Sequence, residues 1–414
     1  MDDHIQRYPD RPEGPAVFVA NPSADKAAPW TEAQDAILND RAFAEARQII
    51  GAWPSYAPSP LLHLSGLAAE MGVAEIAYKD ESTRFGLGSF KALGGAYAVA
   101  RLLARRIREL TGQRVTIDDI LAGEVAEDVA GITVCCATDG NHGRSVAWGA
   151  QTFGCRCVIF IHATVSEGRK QAIEAYGAEV RRCAGNYDDS VREAQETADA
   201  EGWFVVSDTS YPGYMEVPKD VMQGYELMAH EAFDRLDRAP THIFLQTGVG
   251  GMAAAIAAQA KRRCGTARPT VVLADPAEAA CWVDSFEAGA PTAVGGDLDT
   301  LMAGLACGEV SALAWEILRE HADWAMAVPD SAAVEYMRRL ACPPKPDRPV
   351  VAGESAVAGL AALAAALADA RAREALALGP EARVLVFGTE GDTDPELYQD
   401  LVGASGDAIR DRAA

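Results

Sequence analysis

Short apolar, β-branched runs recur along this chain, each closing on small residues and followed by a helical pattern. That alternation leads to a mostly parallel sheet flanked by helices. The runs lie at 131–136, 156–161, 180–183, 242–245 and 271–274, and 383–387 reads as the last central strand. Helices are expected at about 142–152 after the first run and about 166–177 after the second. No repeat of fixed period interrupts the series, which sets aside solenoids and propellers.

With 414 residues and 49% hydrophobic content, the chain can fill the cores of two domains. Its 60 acidic residues against 37 Lys and Arg leave a formal charge of −23. A surface of that sign repels nucleic-acid phosphates and anionic lipid, so neither nucleic acid nor membrane is expected as a partner. Residues 1–9 are polar and acidic, without the basic-then-apolar order of a secretory signal. The alanine- and leucine-rich run 361–378 is interrupted by Asp369, Arg371 and Arg373, and reads as a surface helix too charged to span a bilayer.

The 9 cysteines are too sparse and irregular for a disulfide scaffold, which points to a reduced, cytoplasmic protein. Cys135, Cys136, Cys155 and Cys157 lack metal-ligand spacing and sit in apolar runs, so they read as core and no metal site is expected. Cys281 and Cys307 lie in a more irregular stretch where a local disulfide stays open. Residues 101–127 read as a charged helix and acidic loop, an exposed excursion. The segment 342–349 holds four prolines and can be neither helix nor central strand.

Four segments stand where such a fold places its chemistry, beyond the carboxyl ends of strands and at the starts of helices. Gln246-Thr247-Gly248-Val249-Gly250-Gly251-Met252 joins a strand to a small-residue helix. Its glycines let backbone N–H groups converge on an anion and the helix start adds a favourable dipole, so Gly248, Val249, Gly250 and Gly251 read as a phosphate cradle. The turn lacks the Lys-Ser/Thr ending of a nucleotide P-loop, so ATP is not implied. An ordinary strand-to-helix turn is the alternative.

Ser89-Phe90-Lys91-Ala92-Leu93-Gly94-Gly95 sets one lysine between a glycine-rich loop and a small-residue helix, where it can hold an aldehyde cofactor. Alone, the segment reads by default as a solvated lysine. In Thr138-Asp139-Gly140-Asn141-His142-Gly143, Asn141 can hydrogen-bond a phenolic oxygen and His142 serves packing or hydrogen bonding at a helix start. In Gly388-Thr389-Glu390-Gly391-Asp392-Thr393-Asp394, the Thr389 hydroxyl can meet a ring nitrogen. A neutral partner leaves a pyridine unprotonated and limits its electron withdrawal, which suits β-elimination over transamination. Each segment supplies one part of a pyridoxal 5'-phosphate (PLP) site.

In this order the four segments resemble the fold type II PLP enzymes, the tryptophan synthase β and threonine dehydratase group, over roughly residues 61–398. Within that group the chain is most similar to the diaminopropionate ammonia-lyases. The residues that carry this are Arg84-Phe85-Gly86-Leu87, Asp139 before Gly-Asn-His, Asp208-Thr209-Ser210 with Gly213-Tyr214, Gly353-Glu354-Ser355, and Thr389-Glu390-Gly391-Asp392-Thr393-Asp394-Pro395. The resemblance implies that Lys91 forms the Schiff base, Asn141 binds the cofactor oxygen, Gly248 to Gly251 hold the phosphate and Thr389 faces the pyridine nitrogen. Asp139 and Asp208 would point at the amino acid; for Asp208 a plain turn role fits the residues nearly as well.

The fold implied is α/β, two three-layer α/β/α domains with mostly parallel sheets, in a homodimer. Residues 1–91 and 216–414 would form the large PLP-binding domain and 92–215 the small one. The activity implied is α,β-elimination of ammonia from 2,3-diaminopropionate, from the L and also the D form, giving pyruvate. The chain departs from the family pattern at Gly88-Ser89, Gly251-Met252 and Ala352, changes that leave the cofactor chemistry intact. A serine, threonine or hydroxyaspartate dehydratase shares every cofactor residue, and a non-catalytic PLP-binding homologue would keep the fold. Both stay open, although the pair Asp139 and Asp208 favours the ammonia-lyase. No Gly-x-Gly-x-x-Gly follows an early strand, which argues against a Rossmann dinucleotide site.

Overall fold

The computed structural model describes residues 16–138 and 140–413, which gather into two compact units. The first holds the residues up to Ala36, Pro58–Thr83 and those from Met228 onward; the second holds Ile37–Ala57 and Arg84–Leu227. The chain thus enters the second unit at Arg84 rather than after residue 91, and Lys91 belongs to that unit. The return falls inside the helix Glu216–Arg235.

The strands are β1 (Val17–Ala20), β2 (Leu61–His63), β3 (Glu75–Asp80), β4 (Thr133–Ala137), β5 (Arg156–Ile161), β6 (Glu179–Arg182), β7 (Phe204–Val205), β8 (His242–Gln246), β9 (Thr270–Pro276), β10 (Trp324–Val328) and β11 (Arg383–Gly388). In the first unit they form a sheet of order β1-β10-β9-β8-β11-β3-β2. Its five inner strands run parallel, and the short edge strands β1 and β2 pair antiparallel. β8 is buried along its whole length, and β9 and β11 at all but their first residue. Strands with no exposed alternation need cover on both faces, which is the three-layer arrangement.

Part of that cover is the helix Ala358–Ala368, packed across β8, β9 and β10. The run 361–378 is therefore not a surface helix. It is two helices, Ala358–Ala368 and Ala370–Ala375, parted at Asp369, whose carboxylate caps the second by accepting from the N–H groups of Arg371 and Ala372. The first is apolar all round, as a core helix must be, and every interrupting charge falls at or after Asp369. The proline-rich segment 342–349 has no helix or strand, as expected. From it Asp347 accepts the N–H groups of Gly66 and Leu67, both at 2.8 Å, capping the helix Ser65–Met71 from far along the chain.

The second unit carries an all-parallel sheet of order β6-β5-β4-β7. Helices Ala92–Thr111 and Asn141–Phe153 lie close together because glycines line their contact: a Cβ on Gly95 would overlap the Ser145 hydroxyl. Residues 101–127 are not an excursion. Leu102, Leu103, Ile107, Ile117 and Ile120 are buried, so the charged helix keeps one apolar face on the unit.

All nine cysteines are free thiols, Cys281 and Cys307 among them. Burial pushes the thiols of Cys135 and Cys155 up to about 12, which leaves them unreactive at neutral pH. Among the described residues no helix is long and apolar enough to cross a membrane.

Candidate active site

In the second unit the loop before Lys91 is bent by left-handed backbone at Phe85 (φ 52°), Gly86 (φ 72°) and Gly88 (φ 75°). Phe85 is the costly one, because its Cβ crowds the backbone there. Its ring stacks on Trp148 at 4.9 Å and tilts against Trp53 at 5.9 Å, and this aromatic packing holds the strained turn. The turn delivers Lys91 to the start of the helix Ala92–Thr111.

There the Lys91 Nζ donates to the Asp208 Oδ2 at 2.6 Å, with side chains 19% and 18% exposed. Burial alone pushes the Asp208 carboxyl up, but the charge on Lys91 outweighs it and holds the group well below the usual carboxylate range. Asp208 is therefore ionised at any working pH. The His142 Nε2 lies 2.7 Å from the Val206 carbonyl, and a carbonyl only accepts, so Nε2 carries the hydrogen. Burial lowers the pKa of His142 despite the nearby Asp208, which leaves the ring neutral and its Nδ1 bare, 3.8 Å from the Asp208 Oδ2.

Below Lys91 lies Tyr225, its ring 4.7 Å from that of Phe90 and so close to the helix that a Cβ on Gly94 would overlap it. Burial pushes its phenol well above the ordinary range, so it stays protonated. Sequence reasoning missed Tyr225, for it lies far along the chain in a helix with no motif. Asn141 opens the helix Asn141–Phe153 and is partly buried. Asp139 lies outside the described residues.

In the first unit, β8 ends in a turn that is left-handed at Gly248 (φ 56°) and Gly250 (φ 100°) before the helix Gly251–Cys264. A Cβ on Gly250 would overlap the Trp282 ring, whose Nε1 donates to the Gly248 carbonyl at 2.9 Å. Among the described residues no side chain caps this helix, and the N–H groups of Gly251, Met252 and Ala253 have no acceptor within it.

Beneath the turn Asp275 is 1% exposed; its Oδ2 accepts the Trp282 N–H at 3.1 Å and the Gly248 N–H lies against the same carboxyl. Burial pushes Asp275 up to about 8, so at neutral pH it is a neutral acid that does not repel an anion seated above it. Sequence reasoning missed this residue as well, since nothing in a β-strand Asp signals what lies over it.

Thr389 follows β11, and its Oγ1 accepts from the Gln246 Nε2 at 2.7 Å. Next to it, the Glu390 Oε1 accepts the Ser355 N–H at 3.0 Å and the Glu390 carbonyl accepts the Gly353 N–H at 3.0 Å, joining two of the motif segments. These residues suit PLP on the chemistry of their donors. An uncapped helix start takes a phosphate, a hydroxyl that already accepts from the protein keeps its proton for a ring nitrogen, and a primary amine takes an aldehyde.

A profile of the pyridoxal-phosphate dependent enzyme family matches residues 52–390. Diaminopropionate ammonia-lyase of Escherichia coli (strain K12) is 40% identical over 363 residues, 86% of this chain and 90% of that protein. The enzyme of the same name from Salmonella typhimurium is 37% identical over 359 residues, 84% of this chain and 89% of that protein. The crystal structure of the Escherichia coli enzyme in complex with an aminoacrylate-PLP azomethine reaction intermediate matches this fold with a TM-score of 0.83. Its identity is 36%, over 94% of this chain and 97% of that one.

Proposed function

Because the chain belongs to the pyridoxal-phosphate dependent enzyme family, and within it to the diaminopropionate ammonia-lyases, we propose that it eliminates ammonia from 2,3-diaminopropionate with PLP, giving pyruvate and ammonia. The observation that carries this reading onto the chain's own residues is the Lys91 amine held at 2.6 Å by the ionised Asp208. Lys91 is the residue that binds the cofactor's aldehyde carbon, with Asn141 on its phenolic oxygen. Gly248, Val249, Gly250 and Gly251 form the phosphate turn, and Thr389 serves the ring nitrogen.

When bound, PLP supplies an electron-poor ring in conjugation with the amino acid's α-carbon, which makes the α-proton removable. With the cofactor in place, Lys91 would take that proton from an L substrate and Asp139 from a D substrate. Asp208, kept ionised, accepts a hydrogen bond from the β-ammonium and holds it protonated, so the group leaves as ammonia rather than as amide ion. The released aminoacrylate then adds water and gives pyruvate and a second ammonia. A homodimer in the cytoplasm belongs to the same reading, supported by the family resemblance, the −23 charge and the free thiols.

The test is a side-by-side panel of DL-diaminopropionate, serine, threonine and hydroxyaspartate with the purified holoenzyme, following oxo acid and ammonia. Two ammonia per pyruvate from diaminopropionate, at a kcat/KM well above that of any hydroxy amino acid, is the expected result. Turnover of the hydroxy amino acids with none of diaminopropionate would make the chain a dehydratase. Asp139→Asn is expected to lower turnover of the D form more than the L form, and equal losses would contradict a two-base arrangement.

A further inference from the structure

We propose that Gln246 is a positioning residue for the cofactor ring, fixing the Thr389 hydroxyl as a hydrogen-bond donor so that the ring nitrogen it meets stays unprotonated. The inference rests on the reading that Thr389 faces that nitrogen.

Gln246 is the last residue of β8, and its carboxamide crosses to the end of the neighbouring parallel strand β11. The Nε2 lies 2.7 Å from the Phe387 carbonyl, 3.2 Å from the Ala356 carbonyl and 2.7 Å from the Thr389 Oγ1. Carbonyl oxygens only accept, so two of them around one end of the amide identify that end as the NH2. An amide NH2 has two hydrogens, and the two 2.7 Å contacts, to the Phe387 carbonyl and the Thr389 Oγ1, take them, the Ala356 carbonyl at 3.2 Å being a weaker, shared contact; the Thr389 oxygen thus receives a hydrogen from Gln246 and its own proton points elsewhere. Both side chains are almost fully buried, at 2% and 3% exposed, so bulk water does not scramble this order.

The other end of the amide shows what the arrangement costs. The buried Gln246 Oε1 has no hydrogen-bond partner among the described residues. Leaving a buried acceptor unmade is unfavourable, and a purely structural glutamine would be expected to satisfy both ends. The Oε1 lies near Gly359, in the first turn of the helix Ala358–Ala368, where the positive end of the helix dipole offsets part of that penalty. The chain thus holds the NH2 toward Thr389 at the expense of the oxygen. A threonine that can only donate pairs with a neutral pyridine nitrogen and not with a pyridinium.

The experiment is 15N NMR of holoenzyme reconstituted with PLP labelled at the ring nitrogen, from pH 6 to 9, on the wild type and on Gln246→Met, Gln246→Glu and Thr389→Val. In the wild type the nitrogen is expected to keep a neutral-pyridine shift across the whole range; a pyridinium shift there would overturn the proposal without any variant. Gln246→Met removes the donor at similar volume and frees the hydroxyl to turn. The ring nitrogen should then titrate within the range, its pKa raised by at least one unit, and Gln246→Glu should raise it further. A wild-type profile in the Gln246 variants, with Thr389→Val shifted, would refute the role of Gln246 alone. An unshifted Thr389→Val would instead refute the assignment of Thr389. Thermal melts and cofactor absorbance of each variant separate reorientation from loss of folding, and a variant that does not fold leaves the decision to the wild-type profile.

Discussion

Lys91 and Asp208 are close enough, and dry enough, that the lysine's charge keeps the carboxyl ionised. The 2.6 Å contact is partly shielded from solvent, so the attraction exceeds that of an exposed pair. Asp208→Asn keeps the shape but removes the charge. We expect roughly a 10²–10⁴-fold loss of kcat/KM for diaminopropionate, the range for losing a positioned acid–base group, with the absorbance of lysine-bound PLP retained. Unchanged turnover would show that Asp208 is only a turn residue.

Asp275 gives a pH prediction of opposite origin. Its folded pKa is raised from 3.8 to about 8, so the neutral carboxyl is without cost below 3.8, and the stability associated with it is lost as the pH rises through 8. Above that point a carboxylate stands under the phosphate turn. PLP affinity, measured by fluorescence titration of apoenzyme, should fall between pH 7 and 9 in the wild type and stay nearly flat in Asp275→Asn. Parallel curves would contradict this. Neither Asp275, Tyr225 nor Gln246 was legible as a site residue, because each acts through neighbours distant in sequence. Lys91, the glycine turn and Thr389 stand out in the sequence as candidates, because glycines, strand ends and a lone lysine mark themselves locally.

Burial alone did not make a strand legible: β3 and β10, each with four buried residues, were not read, since β3 carries Lys79 and Asp80 and β10 has one β-branched residue, Val328, while half-exposed β6 was read to within a residue. β5 was read at its true bounds, and β8, β9 and β11 to within a residue or two at their ends, because strands covered on both faces are continuous apolar runs. β1 and β2 were missed because short edge strands, half exposed, leave almost no periodic signal. The helix Ala358–Ala368 was misplaced on the surface because charges beyond its end were counted with it.

In the proposed function the turn 248–251 holds the phosphate, and Gly250 is its tightest point, with φ 100° and Trp282 where a side chain would go. Gly250→Ala should cost about 2–4 kcal/mol in chemical denaturation, from backbone strain together with the overlap, and weaken PLP binding at least tenfold. Asp369→Ala removes only a helix cap and should cost about 1 kcal/mol with PLP binding unchanged. Equal effects of the two would contradict the special status of the turn.

At the scale of the whole molecule, the acid limit of stability includes histidines buried in neutral form. His321 is fully buried, stacked on Trp30 at 5.3 Å, with its Nε2 3.2 Å from the Gln34 Oε1. Burial pushes it down from 6.5 to about 4. A folded pKa below the unfolded value means stability present above 6.5 and lost as the pH falls towards 4. His321→Gln should flatten the fall in unfolding free energy between pH 6.5 and 4, and an unaltered slope would contradict this assignment.

In the proposed function PLP is anchored covalently on one amine, Lys91, at the helix start prepared by the strained turn before it. Borohydride reduction of the holoenzyme, digestion and peptide mass spectrometry test it directly. The reduced pyridoxyl group is predicted on Lys91, while the label on another lysine, or on none, would contradict the account.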